Sequence, residues 1–203
     1  HDTPYKLAAR KLDMFGDNIG DNRALMGAPK KSSLSAPVAS SDFKGTAGFA
    51  GASSLGFELR PNNIFAYTSP TFSGVTGMVA TVNLNEDVYN NTQRNSSLLS
   101  MSVTYDVAPF YGSVAHESHK LEFTTAGQEE SASRVGFAFR PEDQPFEVTA
   151  MYEKTSDNLG AGGINSLGHN AYLLGGKYNI GNNAVKLAYA KAGVLGSGAA
   201  QTP

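Results

Sequence analysis

The residues with the greatest capacity for chemistry lie near the start of the chain. Asp13, Asp17 and Asp21, with Asn18 and Asn22 among them, make an oxygen-rich run. Such a run suits a hard cation, but it lacks the fixed ligand spacing of a calcium loop. Asp and Asn also favour turns and helix caps, where their side chains bond the nearby backbone. Further on, His116-Glu117-Ser118-His119 sets two imidazoles around a carboxylate. A zinc-protease helix needs one more residue between the two His. On a strand these rings point to opposite faces, so chelation is not expected there. The run Gly160-Ala161-Gly162-Gly163 lacks the strand-to-helix setting of a phosphate loop and reads as a flexible connector.

The rest of the composition removes other chemistries. The chain of 203 residues has no Cys, so it has no thiol nucleophile, disulfide or thiolate metal site. No Gly-x-Ser-x-Gly string is present. The residues predict no enzyme, no resident metal and no cofactor. Charged residues make up 17% of the chain and the net charge is −2, which leaves no basic footprint for nucleic acid. The apolar runs are too short for a membrane-spanning helix. A mean hydropathy of −0.27 does not exclude a membrane β-barrel, because its strands alternate apolar with polar residues.

Two zones differ in texture. Residues 1–58 show no sustained periodicity and hold Pro4, Pro29, Pro37 and Ser-rich stretches. They predict a long irregular segment, which a compact domain tolerates when it is functional. From Arg60 onward there are about eight segments of strict alternation, the signature of strands. They cover 60–68, 75–84, 98–106, 110–120, 134–140, 146–153, 172–178 and 185–190. In the clearest, Leu99, Met101, Val103 and Tyr105 oppose Ser100, Ser102 and Thr104. In the second, Met78, Ala80, Val82 and Leu84 oppose Val79, Thr81 and Asn83. Short and long connectors take turns along the chain, which predicts antiparallel neighbours with two unlike ends.

Three features point to lipid rather than to a second protein layer. The apolar faces end in aromatics beside turns and loops, such as Tyr67, Phe110, Phe139, Phe146, Tyr152 and Tyr189, as an aromatic girdle does. The strands have the length that a tilted strand needs to cross a bilayer. The polar faces carry Arg134, Glu147, Lys177 and Lys186 in mid-strand, which suits a wet lumen. The predicted class is therefore all-β, an antiparallel transmembrane β-barrel. A small barrel of about eight strands is filled by side chains, whereas an open channel needs roughly sixteen. The start at His1 and the turn-prone stretch 193–203 predict a partial chain. A soluble β-sandwich binding carbohydrate or protein, and a self-contained small outer-membrane barrel, are the rival architectures.

The residues also carry a family likeness. Thr3-Pro4-Tyr5-Lys6, followed by Leu12-Asp13-Met14-Phe15-Gly16-Asp17, resembles the constriction loop of Gram-negative general diffusion porins. Arg60-Pro61-Asn62-Asn63-Ile64-Phe65-Ala66-Tyr67-Thr68-Ser69-Pro70-Thr71-Phe72-Ser73-Gly74 resembles the strand and periplasmic turn that follow it. Tyr172-Leu173-Leu174-Gly175-Gly176-Lys177-Tyr178, continuing to Tyr189, resembles a later hairpin.

The resemblance implies a chain running from the constriction loop through about half of a barrel of roughly sixteen strands. It implies 1–58 as constriction loop and lead-in, 59–192 as barrel wall, and 193–203 as the start of a further external loop. Short turns would be periplasmic and long loops extracellular. It further implies a homotrimer in the bacterial outer membrane, in contact with lipid and lipopolysaccharide, passing small hydrophilic solutes and ions passively. Carried over by position, Asp13 and Asp17 match the acidic part of the loop, with Asp21 added by proximity, and Arg60 matches a basic wall position. Ala66 stands where many relatives place a second basic residue, and the stretch from Lys30 to Gly56 is longer than the pattern.

Overall fold

A computed structural model of the chain describes residues 2–16, 26, 56–57, 60–61, 63–85, 88–89, 92–93, 96–120, 127–158, 163, 165 and 168–193. Its one described helix, α1 (Pro4–Arg10), starts where the local chemistry dictates. Thr3 is extended and its hydroxyl accepts from the Lys6 amide, while Pro4 occupies the first turn, where its missing N–H costs nothing. A helix of seven residues has little stability of its own. Tyr5, Ala8 and Ala9, which it buries, supply what propensity does not.

The strands are β1 (Phe65–Thr68), β2 (Val75–Asn85), β3 (Val88–Tyr89), β4 (Thr92–Gln93), β5 (Ser96–Val107), β6 (Phe110–Lys120), β7 (Glu129–Phe139), β8 (Phe146–Asp157), β9 (Asn170–Ile180) and β10 (Asn183–Ala192). Eight of them form one sheet in the order β1-β2-β5-β6-β7-β8-β9-β10, and β3 pairs only with β4. All neighbours are antiparallel. The β5–β6 register runs unbroken from Ser97↔Lys120 to Val107↔Phe110, set by the two-residue turn at Ala108-Pro109. Apart from β1, the sheet strands are 10 to 12 residues long, as a bilayer crossing requires.

The two faces of this sheet are inverted relative to those of a water-soluble protein. Along β5, Leu99, Met101, Val103 and Tyr105 are exposed, while Ser100 and Ser102 between them are buried. Along β7, Val135 and Phe137 are exposed, while Arg134 is 2% exposed. Two dozen large apolar side chains in the described residues lie open in this way. Left in water at half exposure, they would forfeit on the order of 20 kcal/mol, more than the whole stability of an ordinary domain. Lipid removes that cost. At the short-turn end Phe110, Phe139 and Phe146 lie in a row, tilted to one another, with centroids 5.4 and 6.0 Å apart. Tyr152 and Tyr172 pair 5.0 Å apart toward the other end.

The all-β, antiparallel, barrel-like class is thus present, with no second sheet packed on the apolar face among the described residues. The sheet is not closed, because β1 and β10 stand at its two edges. That order differs from a self-contained ring of eight strands, and the exposed apolar face differs from a sandwich. Two local expectations change. The first strand begins at Phe65, not at Arg60, so Arg60 takes no side from strand parity. On β2 the more apolar side turns inward. Ala80 and Val82 are buried, because the register Val79↔Met101 and Thr81↔Leu99 puts Val79 and Thr81 on the lipid-type face.

Candidate functional site

Residues 2–16 run across the inner face of the wall as a strap, and each strand holds them differently. The Tyr5 amide donates to Ser100 Oγ on β5 at 3.0 Å. The Tyr111 hydroxyl on β6 donates to the Ala8 carbonyl at 2.8 Å. Leu12 fills the space over Gly136 on β7, where an added Cβ would lie 2.0 Å from Leu12 Cδ1. Met14 fills the space over Gly175 on β9, where an added Cβ would come 3.2 Å from its sulfur. Lys186 on β10 donates to the Met14 carbonyl at 2.8 Å. Ala9 and Leu12 join Met26, Tyr111, Ala138, Met151 and Leu173 in one apolar cluster beneath the strap.

Two buried polar groups lie on the inner face, and one of them locks the strap to the wall. Arg134 on β7 and Glu153 on β8 face each other in register, and the guanidinium Nε and Nη2 donate to Glu153 Oε2 at 2.9 and 2.5 Å. The Tyr5 hydroxyl donates to the same oxygen at 2.6 Å, and the guanidinium lies 4.4 Å from the Tyr5 ring centroid. Nearer the long-loop end, His119 is wholly buried between Glu130 at 2.6 Å and Glu117 at 3.0 Å. Phe57 stacks on its ring at 4.8 Å. Both ring nitrogens are occupied by carboxylates, and no group of acidic and His residues has metal-holding geometry among the described residues.

The strap also carries cations, of which Arg10 and Lys11 are exposed and Lys6 is buried. Asp2 accepts from Lys6 at 3.3 Å, Arg10 at 2.5 Å and Arg60 at 3.1 Å. Partial burial works to raise the Asp2 carboxyl, but the three cations outweigh it and hold the group below its ordinary value of 3.8. Near the short-turn end, Arg140 and Lys177 share Glu147 at 2.6 and 2.9 Å. Lys11 pairs with Asp106, and Arg140 also donates to the Lys11 carbonyl.

The expected site residues fall in different places. Arg60 lies ahead of β1 and meets Asp2, 58 positions away in the chain. Asp13 accepts from the Phe15 amide at 2.9 Å, a local turn contact. Asp17 and Asp21 lie outside the described residues. Asp2, Lys6, Arg10, Arg134, Glu153 and Glu130 were not singled out from sequence as partners. The signal for part of them was present, since Arg134 and Glu153 both fall on the polar side of their strands.

An inverted sheet with a polar, occupied interior is what a membrane channel wall requires, and the sequence model of the Gram-negative porin family matches residues 15–202. The chain belongs to that family. At the level of the family it is a porin-type channel of the outer membrane rather than an enzyme. No curated protein and no solved structure matches it. In a porin, the inner face described here borders water and the outer face borders lipid. The strap then lies on the wall of the aqueous path, where the charges it carries can act on solutes.

Proposed function

We propose that this porin forms a water-filled pore for the passive diffusion of small hydrophilic solutes and ions. Residues 1–58 act as the constriction loop, 59–192 as barrel wall and 193–203 as the start of a further external loop. Asp13, Asp17 and Asp21 on the loop oppose basic groups that include Arg60, and the field between them filters by charge as well as by size. The protein works as a homotrimer in the outer membrane, with its aromatic-edged face against lipid and lipopolysaccharide. A single observation carries this reading: polar side chains are buried on one face, under a strap, while apolar ones stay open on the other.

Planar-bilayer recording on the full-length protein tests it. Discrete, passive conductance steps are expected, and Asp17→Asn should shift the ratio of cation to anion permeability. A protein that needs no detergent and carries no current would end the proposal. Unchanged selectivity in Asp17→Asn would remove Asp17 from the constriction.

A further inference from the structure

The outer face of the sheet is not alike at its two ends. β6, β8 and β10 all run toward the long-loop end, and each carries a lysine on its lipid side there. Lys120 ends β6, Lys154 lies near the end of β8, and Lys191 is next to last in β10. Register places them on the outer face, with Lys120 across from Glu129, Lys154 from Ser133 and Lys191 from Tyr172. All three are exposed. His116 adds an imidazole to the row of Lys154, hydrogen-bonded at 2.9 Å to the Ser133 hydroxyl between them. Ser118, Ser131 and Ser156 make up the next row outward. On the eight-stranded sheet, Glu129 is the one carboxylate of this face among the described residues. Toward the short turns the same face presents Phe110, Phe137, Phe146, Tyr178 and Val185, with no charged side chain among the described residues.

From this asymmetry we infer that the long-loop rim of the outer face is a binding site for lipopolysaccharide, held through the phosphates of its lipid headgroup. Lys154 is its centre, with Lys120 and Lys191 on either side of it in the order of strands. Successive lysines are two strands apart, roughly 10 Å across the sheet, so the three span a wide, multiply charged headgroup better than a single phosphodiester. The serine row between Lys120 and Lys154 offers hydroxyls to sugar. Tyr152 and Tyr172 sit one row nearer the bilayer centre than Lys154, at the level where aromatics mark the interface. Lysine stems lie along such apolar surface and carry their ammonium groups outward to the headgroups. There an ammonium meets phosphate as a compact point charge and needs no fixed fork. The short-turn end offers no such hold, so the same contact favours one orientation of the wall, with its long loops toward the lipopolysaccharide leaflet.

The inference rests on the porin reading of the outer face, and its test leaves the pore untouched. Full-length protein in detergent is offered lipid A with its phosphates, lipid A stripped of them, or phosphatidylglycerol, and bound lipid is counted by native mass spectrometry. The phosphorylated form should bind about ten-fold or more tightly than the stripped form, since each interfacial lysine adds attraction to anionic lipid. Lys120→Gln/Lys154→Gln/Lys191→Gln should remove most of that difference, and Lys120→Arg/Lys154→Arg/Lys191→Arg should restore it. Equal binding of the two forms by the unmodified protein overturns the inference without any variant. Displacement of lipid A by an equal amount of phosphatidylglycerol assigns the rim to anionic lipid in general and overturns it too. A difference that survives in the glutamine variant overturns the assignment to these lysines. None of these outcomes touches the conductance steps of the unmodified protein, whose absence would end the pore reading instead.

Discussion

The wall under the strap and the wall beyond it are written in the same alternating pattern, yet they end up in different states. In β6 the inner positions Tyr111, Ser113, Ala115, Glu117 and His119 are all buried. In β10 the corresponding inner positions Ala184, Lys186 and Ala188 remain exposed. The outer faces do not differ in this way, since Val114 on β6 and Leu187 on β10 are both open. Strand chemistry therefore sets which face is which, and the strap sets how the inner face is used. Under it, charges are desolvated and must be matched closely, as Arg134 is by Glu153. Beyond it, Lys186 stays in water and makes one contact at the strap's end.

The largest effect that separates the two regions comes from removing a matched charge. Glu153→Ala leaves Arg134 buried against Tyr5 without its carboxylate, which should cost about 3–5 kcal/mol. Lys186→Ala removes a solvated group and should cost no more than about 1 kcal/mol. Thermal unfolding of the protein in detergent, read by circular dichroism, compares them directly. Equal shifts would mean that the strap does not desolvate the wall.

Space makes a smaller contrast. Gly136→Val drives an isopropyl group into Leu12 and should cost about 1–3 kcal/mol by overpacking. Ala188→Val on β10 enlarges a side chain that is already exposed and should be close to neutral. The first should also unseat the strap and make single-channel conductance less uniform, while the second should leave it steady. If both variants conduct alike, the close approach of Leu12 to β7 is not what holds the strap.

The smallest contrast is one of pH. Asp2 titrates below its ordinary 3.8 in the folded protein, so its ion pairs contribute above the unfolded value and are lost as pH falls through the lower folded one. Proteolytic cleavage within the strap should rise as acid passes below 3.8, and Asp2→Asn should remove that rise. An acid response that survives in Asp2→Asn would assign it to another carboxylate.

Much of the architecture was legible because period-two alternation is a local property. Six of the expected segments match β5 to β10 within a few residues, with their apolar faces on the side that the structure exposes. The expectation failed at β2, where both faces carry apolar residues and only the pairing with β5 decides between them. It shifted at Arg60, where Pro61 and the positive φ of Asn63 delay the strand to Phe65. In sequence Gly136 is one more position of an alternating strand, and only the fold brings Leu12 over it.

The candidate site was legible only in its residue types. Asp13 and Arg60 were visible as a carboxylate and a cation, but not that Arg60 would meet Asp2 or that Asp13 would turn back on its own backbone. Tyr5 and Glu153 are 148 positions apart, and no local pattern couples them. By itself, the order of residues determined two unlike faces, their strand lengths and the positions of the aromatics, since each depends on neighbours one or two residues away. Only the tertiary structure decided which polar groups lose water and which cations stay in reach of solute. That choice depends on a segment far away in the chain lying across the sheet and excluding solvent from part of it.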